Sequence, residues 1–423
     1  VRVTPGSETS TGQGEASSTR RRALARVNLA AIERNCQRLR EELRQGCELC
    51  VVVKADAYGH GAAQSARAAL DGGASWLAVA GASEATQLRR FGFGDVRLLV
   101  MGALSPVELK ESLAAKADVV VWSEQMVVAV ARAGGGRVHV KLDSGMGRLG
   151  TRDPEQGLRV AALAAATAKV ELAGAMTHFA TADDERDQFF GRQLESFSGW
   201  AEQLKRSYPQ IVVHAANSAA ALREPRAHFD MVRCGIGVYG MDPFAGDPRA
   251  RGLDPALELV SYVAEVKDCA PGQSAGYGRR FVAEQDTTLG VLPIGYGDGW
   301  RRALSNNGEV LIAGRRRPIV GTVSMDNLTV DLGAEAKASD LRGGEAVLIG
   351  VRGDQRITAE EVARRIGTIN YEVTCALTGR VPRVYHRDGQ VVDTQESGQT
   401  SDSLGAAGQL VADASPVPTP SID

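Results

Sequence analysis

Long apolar runs are missing from this 423-residue sequence. None approaches the ~20 residues that span a bilayer, and the first twenty residues lack the apolar core of a secretory signal. Neither membrane insertion nor export is expected, and the cytoplasm is the expected location. An excess of basic charge is missing as well. Lys and Arg number 49 against 51 Asp and Glu, a formal net charge of −2, which argues against a nucleic-acid-binding surface. Six cysteines do not make a disulfide framework in a chain of this size, and Cys47-Glu48-Leu49-Cys50 is a lone CxxC with no second pair at metal-ligand spacing. No metal or redox centre is expected. No internal repeat of fixed short period stands out.

What is present is an ordinary globular composition, 43% hydrophobic and 24% charged, with room for two domains. Residues 1–20 and 389–423 depart from it: they are rich in Ser, Thr, Gly, Gln, Asp and Pro, have little to bury, and read as disordered tails. Between them, apolar strands recur at Val51–Lys54, Leu77–Ala80, Arg97–Met101, Asp118–Trp122, Val138–Asp143, Leu172–His178, Ile211–Ala215 and Met231–Cys234. The stretches between, such as Ala62–Leu70, Ser83–Arg90, Pro106–Ala115, Glu124–Arg132, Pro154–Ala168 and Asp187–Arg206, are rich in strong helix formers. Continuous apolar strands joined by helices imply a parallel sheet covered on its outer face. Eight such units predict an α/β fold, a closed (β/α)8 TIM-type barrel over 21–255, with an open doubly wound sheet as the alternative. After Met241-Asp242-Pro243 and Gly252-Leu253-Asp254-Pro255 the pattern changes to short strands and tight turns. A smaller, mostly β domain is expected over 256–388, with strands at Leu257–Val266, Thr288–Leu292, Glu309–Ile312, Arg317–Val320, Asn327–Asp331 and Ala346–Ile349 and a single helix, Ala359–Ile366.

A barrel places its chemistry at the carboxyl ends of the strands, and the polar residues collect there. Lys54 ends the first strand; Lys141, Asp143 and Arg148 close the fifth; His178 ends the sixth; Asn217 and Ser218 follow the seventh; Arg233 ends the eighth. Lys54, behind Val51-Val52-Val53, either snorkels into water or is held in an apolar mouth, where desolvation turns an ammonium into a usable nucleophile or base. A lone strand-end histidine such as His178 is more often structural than catalytic. Convergence on one rim favours the catalytic reading.

The residues then carry a resemblance. Lys54-Ala55-Asp56-Ala57-Tyr58-Gly59-His60-Gly61 resembles the cofactor-lysine signature of the alanine racemases, barrel-type (fold type III) enzymes that use pyridoxal 5'-phosphate. Lys141 to Gly150 resembles their second signature. His178 to Asp183, Asn217-Ser218, Arg233-Cys234-Gly235-Ile236, Gly276-Tyr277-Gly278, Pro293 to Gly299, Ser324-Met325-Asp326-Asn327 and Asn370-Tyr371-Glu372 follow in the family's order, covering about 22–388. The resemblance implies an isomerase that interconverts L- and D-alanine by two bases on opposite faces of Cα, and so a role in D-alanine biosynthesis. Lys54 would bond the cofactor aldehyde and serve as one base, with Tyr277 from the other subunit as the second, supported by His178 and Arg233. Tyr58, Ser218, Gly235, Ile236 and Tyr371 would hold the phosphate, with Asn217 beside them, and Arg233 would face the ring nitrogen. Arg148 would reach the phenolic oxygen and the substrate carboxylate, steadied by a carbamylated Lys141. Met325 would contribute a backbone N–H from the partner chain, with Asp326 and Tyr296 as supports. A homodimer with shared sites follows. Thr322 departs from the family pattern, which has arginine there, and this opens a broader racemase acting on serine or basic amino acids. A related barrel-type decarboxylase and a non-enzymatic cofactor-binding barrel are the remaining alternatives; the first needs no tyrosine base, and the second lacks a β domain.

Overall fold

The computed structural model describes residues 21–395, so the tail readings for 1–20 and 396–423 fall outside them. The described chain opens with strand β1 (Ala23–Asn28), which does not join the barrel. Its alternation buries Ala23, Ala25 and Val27. It pairs antiparallel with the strand Leu257–Tyr262 and parallel with the strand Arg383–Arg387. The assignment of 21–255 wholly to the barrel is corrected accordingly. Asn28, whose side chain accepts from the Ala30 N–H at 3.2 Å, then caps the helix Leu29–Glu42 that carries the chain into the barrel.

The barrel closes from β2 (Glu48–Val52), β3 (Trp76–Val79), β4 (Arg97–Val100), β5 (Asp118–Val121), β6 (Gly136–Lys141), β7 (Val170–Met176), β8 (Val212–His214) and β9 (Met231–Cys234). Every neighbouring pair is parallel, and β9 returns to β2 with Arg233 opposite Cys50, which excludes the open sheet. The strands are buried on both faces, as near-continuous Val, Leu and Ala runs require. Helices Ala62–Asp71, Ala82–Arg90, Pro106–Ala114, Glu124–Arg132, Pro154–Ala166 and Phe189–Ser207 cover the outside within two residues of their expected bounds.

The second domain contains β10 (Leu257–Tyr262), β11 (Glu265–Cys269), β12 (Ser274–Ala275), β13 (Phe281–Val282), β14 (Thr287–Leu292), β15 (Glu309–Ile312), β16 (Arg315–Val320), β17 (Leu328–Asp331), β18 (Glu345–Arg352), β19 (Gln355–Ile357), β20 (Arg383–Arg387) and β21 (Gln390–Gln395). The main path runs β11-β14-β17-β16-β15-β18-β10-β1-β20-β21. Three expectations change. The single strand Leu257–Val266 is two, because the backbone switches partners at its middle: Val263 donates to Gly344 and Ala264 to Val291. The helix Ala359–Ile366 is joined by two short ones, Ala338–Leu341 and Asn370–Cys375. Residues 390–395, expected in the disordered tail, form β21, an edge strand held by pairing with β20.

Because β1 sits between β10 and β20, it is a structural part of a domain whose other strands come more than two hundred residues later. A chain beginning at Leu29 should leave both neighbouring strand edges unpaired and lose a cooperative β-domain transition. Thermal unfolding followed by circular dichroism checks this; an unchanged midpoint would show β1 to be dispensable.

Candidate active site

β2 stops at Val52, and Lys54 opens a tight turn in which Ala55, Asp56, Ala57 and Tyr58 have φ of 51°, 52°, 54° and 56°. Four consecutive non-glycine residues in the left-handed region cost about 1–2 kcal/mol each, so the surroundings must hold them. Glu84 accepts from the Ala55 N–H at 2.7 Å and from Ala80 at 2.8 Å, and Asp56 accepts from the Ala62 N–H at 2.8 Å. Gly59, at φ 85°, packs so closely on the Thr374 carbonyl of the unforeseen helix Asn370–Cys375 that a Cβ would collide with it. The turn puts Lys54 at the barrel mouth and folds Tyr58 back between Tyr239 and Tyr371, with ring centroids 5.1 and 5.9 Å away.

The mouth is a cavity of about 530 Å³ whose lining includes Lys54, Tyr58, Lys141, Arg148, His178, Asn217, Ser218, Arg233, Gly235, Ile236 and Tyr371. These eleven residues come from six places in the sequence, and the fold brings all of them together. Asn217 also caps the helix Ser218–Arg223 by accepting from the Ala220 N–H at 2.9 Å. The Ser218 hydroxyl accepts from the Gly235 N–H at 3.1 Å. A Cβ at Gly235 would collide with the Tyr58 hydroxyl, so glycine keeps open a cradle of hydroxyls and amides on one side of the cavity.

Lys54, Lys141, Arg148 and Arg233 share this cavity, and among the described residues none of them is in an ion pair. Burial, then Arg148, lowers the Lys54 pKa. Burial, then Arg233 and Arg148, lowers that of Lys141 to about 8. Arg233 is lowered to about 10 by burial and remains a cation at neutral pH. Its Nη1 donates to His214 Nδ1 at 2.8 Å; its Nη2 donates to the carbonyls of Thr177 at 2.8 Å and Ala215 at 3.0 Å and to His178 Nδ1 at 3.2 Å. Nε has no acceptor among the described residues. His178 is driven well below its ordinary pKa by burial and the surrounding cations, so it is neutral. With Nδ1 accepting, its Nε2 carries the proton. Asp143 does not enter the cavity: it accepts from Gly145 at 3.1 Å, Gly147 at 2.9 Å and Arg152 at 3.2 Å, shaping the loop that presents Arg148.

The remaining candidates stand on the β domain, outside the cavity. Tyr277 is 74% exposed, Met325 52% and Tyr296 42%. His178 and Arg233 are bonded to each other but not to this chain's Tyr277. Thr322, where the family pattern has arginine, donates to the Tyr277 carbonyl at 2.7 Å and so ties down the tyrosine's turn. Asp326 pairs with Arg380 at 2.6 Å beside Asp298 and Arg22, a network that anchors the Met325 loop.

Sequence reasoning missed Glu84, Cys375 and the buried histidines behind Arg233. Cys375 lines the cavity near Lys54, but its short helix gave no periodic signal. His139 had one: Arg137, His139 and Lys141 alternate, so with Lys141 facing the cavity, His139 faces inward too.

The Lys141 ammonium, at about 8 when folded and at the ordinary 10.5 when unfolded, binds fewer protons in the folded chain between those values. The cofactor-free protein should therefore gain stability from this residue as pH rises through that window, and Lys141→Met should lose the gain. Urea midpoints in carbonate-free buffer check it, and parallel pH profiles for the two proteins would refute it.

The alanine racemase N-terminal domain signature matches residues 27–243, and the alanine racemase C-terminal domain signature matches 256–385. The chain is 39% identical over 378 residues to alanine racemase 1 of Bacillus subtilis (strain 168), covering 88% of this chain and 95% of that one. It is 38% identical over 384 residues to the alanine racemase of Geobacillus stearothermophilus, covering 88% and 96%. The crystal structure of alanine racemase from Bacillus anthracis with bound L-Ala-P superposes with a TM-score of 0.82 at 35% identity, covering 90% of this chain and 99% of that one. That from Streptomyces coelicolor A3(2) gives 0.80 at 37% identity, covering 86% and 97%. With both domains matched and the site assembled at the barrel mouth, the chain belongs to the alanine racemase family.

Proposed function

We propose that this chain is an isomerase that interconverts L- and D-alanine with pyridoxal 5'-phosphate, in a homodimer whose two sites are each built from both subunits. The observation that carries the reading is the cavity of four cations without a carboxylate partner, with Lys54 at its mouth and Arg233 Nε unused. Such a cavity fits a ligand bearing several negative groups. The hydroxyls of Tyr58, Tyr371 and Ser218 and the amides of Gly235 and Ile236 suit its phosphate, Arg233 Nε its ring nitrogen and Arg148 its phenolic oxygen. When bound, the cofactor supplies the aldehyde that captures an amino group and the conjugated ring that acidifies the Cα proton.

The protein's own groups then decide the stereochemistry. Lys54 Nζ, with its proton affinity lowered by burial, takes and returns a proton on one face. Inversion needs a second base on the opposite face. This chain's Tyr277 stands exposed on the β domain, so a second copy is the natural supplier, and Met325 on the same surface would come with it. The neutral His178 offers its Nε2–H to the incoming phenolate, the form of tyrosine that acts as a base. Arg233, a cation that keeps its proton, would face the ring nitrogen as a donor only, which would limit electron withdrawal and favour prompt return of the Cα proton over side reactions. Lys141, neutral enough near pH 8 to react with carbon dioxide, would as a carbamate place an anion among the cations and steady Arg148. The free cysteines, all six of them, suit a reducing compartment, and we place the enzyme in the cytoplasm as part of D-alanine biosynthesis.

Labelled bicarbonate should give a lysine carbamate resonance that is absent from Lys141→Met; its presence in the variant would move the carbamate elsewhere. Racemisation of L-alanine in D2O tests the main reading. Tyr277→Phe should retain cofactor binding and lose about 10²–10⁴-fold in rate, as removal of one acid–base group does. Mixing inactive Lys54→Ala and Tyr277→Phe proteins should restore about a quarter of the wild-type sites if subunits exchange freely between symmetric dimers. No recovery despite demonstrated exchange would place both bases in one chain.

A further inference from the structure

Behind Arg233 a line of buried polar groups crosses the barrel interior. Asp118, at the amino end of β5, is fully buried and accepts from Arg97 at 2.6 Å, Arg137 Nε at 2.5 Å and His139 Nε2 at 3.1 Å. His139 Nδ1 lies 2.8 Å from His214 Nε2, and His214 Nδ1 lies 2.8 Å from Arg233 Nη1. An arginine can only donate, and an ionised carboxylate can only accept. The proton order between them therefore has one solution: Arg233 donates to His214, His214 Nε2–H to His139 Nδ1, and His139 Nε2–H to Asp118. Both rings are neutral, each in a single tautomer. Burial and Arg233 hold His214 well below its ordinary pKa, and although burial alone would raise Asp118, the hydrogen bond from His139 and its pairing with Arg97 lower it and keep it ionised.

The backbone is adapted to this line. The pairing of β6 with β7 slips between Val138 and His139, and at Gly174 on β7 a Cβ would collide with the His139 ring. Trp76 meets that ring edge-on at 5.9 Å and stacks under Arg97 at 4.1 Å. An apolar barrel core has no packing need for a slipped register, a glycine and two histidines.

We propose that Asp118, His139 and His214 are positioning residues for Arg233: the relay engages Nη1, fixes the plane of the guanidinium and leaves Nε aimed into the cavity. Their effect on catalysis rests on the functional reading above, but the relay itself is readable without cofactor. It needs no proton to travel. Removing a link should let Arg233 rotate and loosen its hold on the ring nitrogen, while Arg148 and the substrate carboxylate are untouched.

Nitrogen NMR of histidine-labelled, cofactor-free protein, assigned with His139→Gln and His214→Gln, tests the relay. Both rings should be neutral and protonated at Nε2; a cationic ring or an Nδ1–H tautomer at either position overturns it. In the loaded enzyme His139→Leu should weaken cofactor binding and lower kcat about 10–100-fold, the scale of a misplaced catalytic group, with KM for L-alanine little changed. His139→Gln, which keeps one acceptor and one donor, should recover most of the loss. Gly174→Ala, which disturbs the ring without removing a titratable group, should resemble His139→Leu if that variant folds poorly. Relay tautomers with unchanged kcat and cofactor affinity in the folded variants would reduce the line to a stability network and leave the racemase reading intact; loss of activity in wild type would strike the racemase reading alone.

Discussion

Four cationic side chains, Lys54, Lys141, Arg148 and Arg233, share one cavity without a carboxylate among them. Packing them together is unfavourable until an anionic partner arrives, and much else in the barrel manages that cost. Proton affinities of the lysines fall, neutral acceptors surround Arg233, and the rim carboxylate Asp143 is occupied by backbone amides. In the proposed function the cofactor would supply the counter-charge. Such a cluster favours a ligand that carries several negative groups, which is the basis of the proposed function.

Precision in that cavity depends on backbone conformations that local sequence would not choose. The left-handed turn after Lys54 persists because Glu84, Asp56 and the close contact of Gly59 with the Asn370–Cys375 helix over-determine it. The helix belongs to the β domain, so the domain that carries Tyr277 also braces the lysine of its own chain. In the proposed dimer each β domain would serve its own barrel as a brace and its neighbour's as a source of groups. Arg22, Asp298, Asp326 and Arg380 anchor the exposed loops on that side.

The barrel interior shows the same economy. Its floor holds a carboxylate between two arginines, and its mouth holds an arginine with no carboxylate. Two histidines join them, and the order of their protons follows from the chemistry of the two ends. A core that could have been apolar throughout keeps this line at the expense of a slipped strand register and a glycine.

Local pattern alone determined the barrel strands, the helices that cover them and the residues at their carboxyl ends, because runs such as Val51-Val52-Val53 and Val119-Val120-Val121 and the periodic helices between them carry their signal within a few residues. Tyr277 and Met325 are marked only by the resemblance of their contiguous motifs to a family, not by local pattern. What only the tertiary structure decided is non-local. β1 is a weak alternation of alanines that becomes a strand through partners more than two hundred residues away, and β21 persists only through β20. Left-handed geometry at Ala55–Tyr58 is imposed by Glu84 and Thr374, not by the four residues themselves. The alignment of Asp118, His139, His214 and Arg233 arises because four strands, separate in sequence, turn these side chains toward one axis.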